Sequence, residues 1–104
     1  SDYELAELLI DLVENQPADR ALSPEFLRAA GHLNSDYEHR RVLAKVVSHR
    51  NLSPALLISM VESAADIGSE YERAELLVQI ARTPLRLVSW IVPLNSAYTL
   101  ARIS

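Results

Sequence analysis

The residues of this chain with the best claim to chemistry are three histidines and a short run of bases. His32, His39 and His49 would be metal ligands or general bases, because a neutral imidazole binds zinc and titrates near neutral pH. Their spacing argues against both roles. His32 precedes a helix cap, and His39 and His49 stand ten residues apart on one expected helix, so no shared ligand set forms. They are read as ordinary surface or partly packed side chains. The chain contains no cysteine, which removes thiolate zinc sites, disulfides and a cysteine nucleophile. No glycine-rich phosphate loop, no Gly-x-Ser-x-Gly elbow and no carboxylate pair with a companion base occurs. No catalytic residue, metal ligand or cofactor-binding residue is assigned, and the chain is expected not to be an enzyme.

Two surfaces remain as candidate interaction sites. Arg41, Lys45 and His49 fall at i, i+4 and i+8, with Arg50 close by, so they form one basic stripe on a helix. The other is the segment Leu85 to Leu94, where Arg86 and Ser89 alone break the apolar run before Pro93. Within it Leu87, Trp90 and Ile91 share a helical face, and a central Trp is a common interface anchor. Ten basic against fourteen acidic residues give a net charge of −4. Nucleic acid is therefore not expected, because phosphate binding needs a positive field.

The elements that must carry these residues follow from a repeat. Ser1-Asp2-Tyr3-Glu4 returns as Ser35-Asp36-Tyr37-Glu38 and as Ser69-Glu70-Tyr71-Glu72, a spacing of 34 held twice. Each copy reads as a helix start: Ser as N-cap, an acid at N1 facing the helix dipole, and Glu at N3 closing a capping box. After each cap the apolar positions coincide, as Leu8, Leu9, Leu12 and Val13 do with Val42, Leu43, Val46 and Val47, and with Leu76, Leu77, Ile80 and Ala81. A second apolar face joins Tyr3, Ala6 and Ile10 to Tyr37 and Ala44, interrupted by Arg40, and to Tyr71, Ala74 and Val78. Two such faces suit a helix packed against its own hairpin partner and both neighbours.

The second helix of each unit is marked by Leu22-Ser23-Pro24 and by Leu52-Ser53-Pro54, with Ser as cap, Pro at N1 and the Leu stapling to Leu27 or Leu57. The first hairpin has a longer loop within Asn15 to Ala21 and one turn less of helix. In the third unit Thr83-Pro84 opens a short helix that Pro93 must end. The fold expected is all-α: a short right-handed α-solenoid of three antiparallel hairpins, one domain over 1–104 with repeats 1–34, 35–68 and 69–104.

These Ser-Asp-Tyr-Glu hairpins resemble bacterial HEAT-like or tetratricopeptide-like repeats, in particular those found downstream of penicillin-sensing-type membrane zinc metallopeptidases. The resemblance covers nearly all of residues 1–82 and the tail 97–104. It implies a repeat scaffold, and any peptidase chemistry of such relatives lies outside this segment, since no His-Glu-x-x-His is present. The clean boundaries read as an excised or engineered block of whole repeats.

Repeat register then assigns the remaining features. The equivalents of the basic stripe are Glu7, Asp11 and Asn15 in the first repeat and Glu75, Gln79 and Thr83 in the third. Stacking would set bases between acids, so internal pairing is preferred over a site for an acidic partner. Tyr3, Tyr37 and Tyr71 form either a stacking ladder or, the preferred reading, packing between hairpins. Met60 is assigned to the core. The function expected is a non-catalytic scaffold or a protein- or peptide-binding module of unknown partner. The alternatives are a regulatory or substrate-holding segment of a larger metallopeptidase, or an engineered scaffold without native function. A two-fold homodimer is expected through the C-terminal repeat. No apolar run reaches the ~20 residues of a membrane span, so no membrane insertion is expected; the compartment stays open, with the cytoplasm favoured.

Overall fold

A computed structural model describes residues 1–17 and 20–83, and among these all regular structure is helical. The five helices are α1 (Asp2–Glu14), α2 (Pro24–Gly31), α3 (Asp36–His49), α4 (Pro54–Ala64) and α5 (Glu70–Ala81). Every start is set by a serine. The hydroxyls of Ser1, Ser35 and Ser69 accept the N3 amides of Glu4, Glu38 and Glu72 at 3.2–3.3 Å. Those of Ser23 and Ser53 accept the amides of Phe26 and Leu56 at 3.3 and 3.1 Å, each followed by Pro at the first helical position. There the missing N–H costs nothing and φ is already helical. At eight residues against eleven, α2 is shorter than α4 by about one turn.

The helices form two layers. α1, α3 and α5 pack side by side, with α3 between the other two, and α2 and α4 lie across them. Because α3 has a neighbour on each flank and a layer beneath, it buries His39, Val42, Leu43, Val46 and Val47. The core continues through Ala6, Leu9 and Val13 of α1, Phe26 and Ala30 of α2, Met60 and Ala64 of α4, and Leu76 and Ile80 of α5. Leu22, Leu27 and Leu57 pack on this cluster and Leu52 lies within it.

The capping box is half formed. The serine hydroxyls cap as expected, but the reciprocal acceptor of the serine N–H comes from elsewhere. Ser35 N–H donates to Asp2 Oδ2 at 2.7 Å, and Ser69 N–H donates to Asp36 Oδ2 at 2.8 Å. An ionised carboxylate on the preceding helix thus takes the role that Glu38 and Glu72 would have had, and those two glutamates turn to arginines instead. Gly68 N–H also donates to Asp36 Oδ1 at 3.2 Å. A Cβ on Gly68 would lie 3.4 Å from that carboxylate, so the residue there is small where the chain passes close.

Not every apolar position reaches the core. Leu8 and Leu12 are exposed while their equivalents Val42, Val46, Leu76 and Ile80 are buried, and Leu77 is exposed while Leu9 and Leu43 are buried. The difference follows position in the stack: only α3 has a described helix on both sides.

Candidate interaction surfaces

The basic stripe lies on α3, where Arg41 and Lys45 reach acids of α1. Arg41 is gripped from two sides, by Glu7 of α1 at 2.8 Å and by Glu38 of its own helix at 2.9 Å. Its guanidinium is pushed further toward the charged form, first by the hydrogen bond to Glu7 and with a further contribution from Glu38. Lys45 lies 3.7 Å from Glu14, one turn beyond the Asp11 that repeat register suggests. The third-repeat equivalent of Lys45, Gln79, donates to the Ala44 carbonyl at 2.9 Å. His49 Nε2 donates to the Gln16 carbonyl at 3.2 Å.

Arg50 is not part of this stripe. It is 1% exposed and donates through Nη1 to the carbonyls of Pro17 and Arg20 at 2.7 and 2.6 Å. It therefore fastens the long loop of the first hairpin against the end of α3.

Tyr3, Tyr37 and Tyr71 are each half or more exposed, which corrects the packing assigned to them. Two of the three rings carry a guanidinium. Arg41 lies 5.4 Å from the Tyr3 centroid and Arg40 lies 5.2 Å from that of Tyr37, within the range of a cation–π contact. Arg40, the break in the apolar pattern, also pairs with Glu72.

His39 departs from the expectation of a surface or partly packed ring: it is 2% exposed, at the interface of α3 with α4. Its Nε2 shares a 3.0 Å hydrogen bond with Ser63 Oγ. Burial lowers its pKa, against a smaller opposing pull from Asp66 and Asp36. No group of three or more His, Asp or Glu side chains among the described residues is placed to hold a metal. No described helix is long and apolar enough to cross a membrane.

One concavity among the described residues was not legible in the sequence. A furrow of about 670 Å3 opens between the N-terminal halves of α2 and α4, floored by Leu22, Leu27, Leu52 and Leu56. It continues toward their C-terminal ends as a second depression of about 620 Å3 that shares Pro24, Leu27 and Ser59 and is edged by Arg28, His32, Glu62 and Asp66. Small residues face the gap, among them Ala55, Ser59 and Gly31, so the two helices do not close over it. Leu87, Trp90 and Ile91, with the short helix expected after Thr83, lie outside the described residues; Thr83 itself caps the end of α5 by donating from Oγ1 to the Ile80 carbonyl at 2.7 Å.

Comparison with protein families, with curated proteins and with solved structures gives no match to this chain.

Proposed function

We propose that the chain is a non-catalytic helical-repeat module, a right-handed α-solenoid of three hairpins that binds a protein or peptide. The observation that carries the reading is the furrow between α2 and α4. It joins an apolar floor of leucines to a charged far end, the division of labour by which binding clefts combine affinity with orientation. The basic stripe is the weaker candidate, because Arg41 and Lys45 already have acidic partners within the chain. The occupant that fits is a peptide with apolar side chains for the leucine floor and a charged or amide group for the Arg28, His32, Glu62 and Asp66 end.

The test is selection from a displayed peptide library on the full chain, followed by titration against two variants. Ser59→Trp fills the furrow from an exposed position without touching the core. Ile58→Ser changes an exposed side chain on α4 that does not line it. Peptides that lose at least tenfold in affinity with Ser59→Trp and keep it with Ile58→Ser support the furrow. Selected peptides indifferent to Ser59→Trp refute it, as does a library that yields no binder.

A further inference from the structure

Three exposed tyrosines recur with the repeat, and neither the core nor the furrow accounts for them. Tyr3, Tyr37 and Tyr71 are 54%, 51% and 70% exposed. Each is the second residue of its helix, and none of them lines the furrow. The same hydrogen bond fixes their relative placement at both junctions. Asp2, beside Tyr3, accepts the N–H of Ser35, and Asp36, beside Tyr37, accepts that of Ser69. The step from Tyr3 to Tyr37 therefore repeats from Tyr37 to Tyr71. Helices packed side by side stand about 8–10 Å apart, so the three rings form a row at that interval. Arg41 lies over Tyr3 and Arg40 over Tyr37, and these guanidiniums are held in turn by Glu7 and Glu72 of the adjoining helices. Rings already positioned in this way lose little further freedom when a ligand is laid on them.

The interval selects the occupant. A polyproline II helix returns to the same face every three residues, about 9.3 Å. A strand returns every ~6.8 Å, well short of the interval, and two turns of α-helix take ~10.8 Å, beyond it. Proline-rich segments dock on aromatic side chains with their preformed backbone, and proline leaves a carbonyl to be satisfied but no N–H. A tyrosine hydroxyl can donate to that carbonyl. Charge then selects the peptide. Glu4 and Glu7 stand close to Tyr3 in sequence, and Glu70 and Glu75 close to Tyr71, all four exposed, whereas Arg40 and Arg41 already have acidic partners. Such a setting repels the phosphates of a single-stranded nucleic acid, whose bases an aromatic row could otherwise stack, and favours a ligand with basic residues.

We propose that the row Tyr3, Tyr37 and Tyr71 binds a basic, proline-rich peptide in the polyproline II form, with prolines at i, i+3 and i+6 each resting on one ring. This site uses other residues than the furrow, so failure of one reading leaves the other standing.

The probe is a dye-labelled peptide of nine prolines between two arginines, titrated with the full chain and followed by fluorescence anisotropy. Saturable binding is expected. Tyr37→Ala and Tyr71→Ala should each weaken it about tenfold, the scale of one aromatic contact, with helicity by circular dichroism unchanged because both side chains are exposed. Tyr71→Ala in addition leaves both cation–π pairs in place. Ser59→Trp, which fills the furrow, should have no effect. Glutamates in place of the two arginines should weaken binding about fivefold, as exposed charges set against like charges do, and glycine in place of every proline should abolish it. The proposal is overturned by a parent that shows no saturable binding, or by binding indifferent to both tyrosine variants. Loss of binding in Ser59→Trp, which would place the peptide in the furrow, overturns it too, as does equal binding of the glycine or the glutamate peptide.

Discussion

The carboxylate of Asp2 accepts the backbone N–H of Ser35 at 2.7 Å, so the first residue of one helix holds the cap of the next. The bond repeats one register on, from Ser69 to Asp36. An N-cap N–H is outside the helix ladder and needs an acceptor, and here that acceptor spans the junction between units. Register and stacking are thereby fixed by the same atom.

Removing that acceptor should be costly at the second junction. Asp36 takes the N–H groups of both Gly68 and Ser69, so Asp36→Ala should lower unfolding free energy by about 1.5–3 kcal/mol, the range for losing bonds to a charged acceptor. Asp36→Asn keeps a carbonyl acceptor and should lose less. Urea titration of both variants measures this. A loss in Asp36→Ala no larger than the ~1 kcal/mol of the cap variant Ser35→Ala would show that the interhelical bond adds nothing.

Burial separates two leucines that sequence register places on the same kind of face. Leu43 is fully buried in the central helix and Leu8 is 57% exposed. Leu43→Ala should cost about 2–5 kcal/mol through lost contacts and a residual cavity, and Leu8→Ala no more than about 0.5 kcal/mol at concentrations where the chain is monomeric. Equal losses from chemical denaturation would place the wrong flank of α1 outward.

The helix starts at Asp2, Asp36 and Glu70 were legible because a cap is local, written in four consecutive residues. The helical class was legible because periodicity is also local. The Asp2 to Ser35 bond was not, since a capping box predicts the acceptor within one helix and only the packed junction brings a nearer carboxylate. Arg50 read as part of a basic stripe, because spacing gives a residue's face and not what a long loop lays over it. The furrow was invisible for a related reason: Ala55, Ser59 and Gly31 are unremarkable singly and matter only when α2 and α4 oppose them.

The paired bases should show salt-dependent stabilisation. Arg41 bridges Glu7 and Glu38, and Lys45 lies near Glu14, all partly exposed. Exposed pairs contribute about 0.2–1 kcal/mol each, and Arg41→Glu with Lys45→Glu also places like charges beside these acids. The double variant should be less stable by roughly 1–2 kcal/mol in dilute buffer, with most of the loss gone near 1 M salt, where screening acts within ~3 Å. Thermal or urea unfolding at several salt concentrations would show it. A deficit that does not change with salt would mean that packing of the long side chains, not their charge, is what is lost.

His39 should make the fold sensitive to mild acid. Its ring is buried against Ser63 and its folded pKa lies below the ordinary value, chiefly through desolvation, with Asp66 and Asp36 opposing. The unfolded chain, with a histidine pKa of ~6.5, therefore binds the proton more readily than the folded one, so stability rises with pH across this window. The contribution is complete above about pH 6.5 and is lost as pH falls from there through the lower folded value. Carboxylates also titrate toward the acid end, so the informative quantity is the difference between the parent and His39→Gln, measured by urea unfolding between pH 7.5 and 5. The variant should be less stable at pH 7.5 yet flatter as pH falls. If His39→Gln kept the parent's slope over this range, the acid sensitivity would belong to other groups and the buried ring would be an ordinary packing residue.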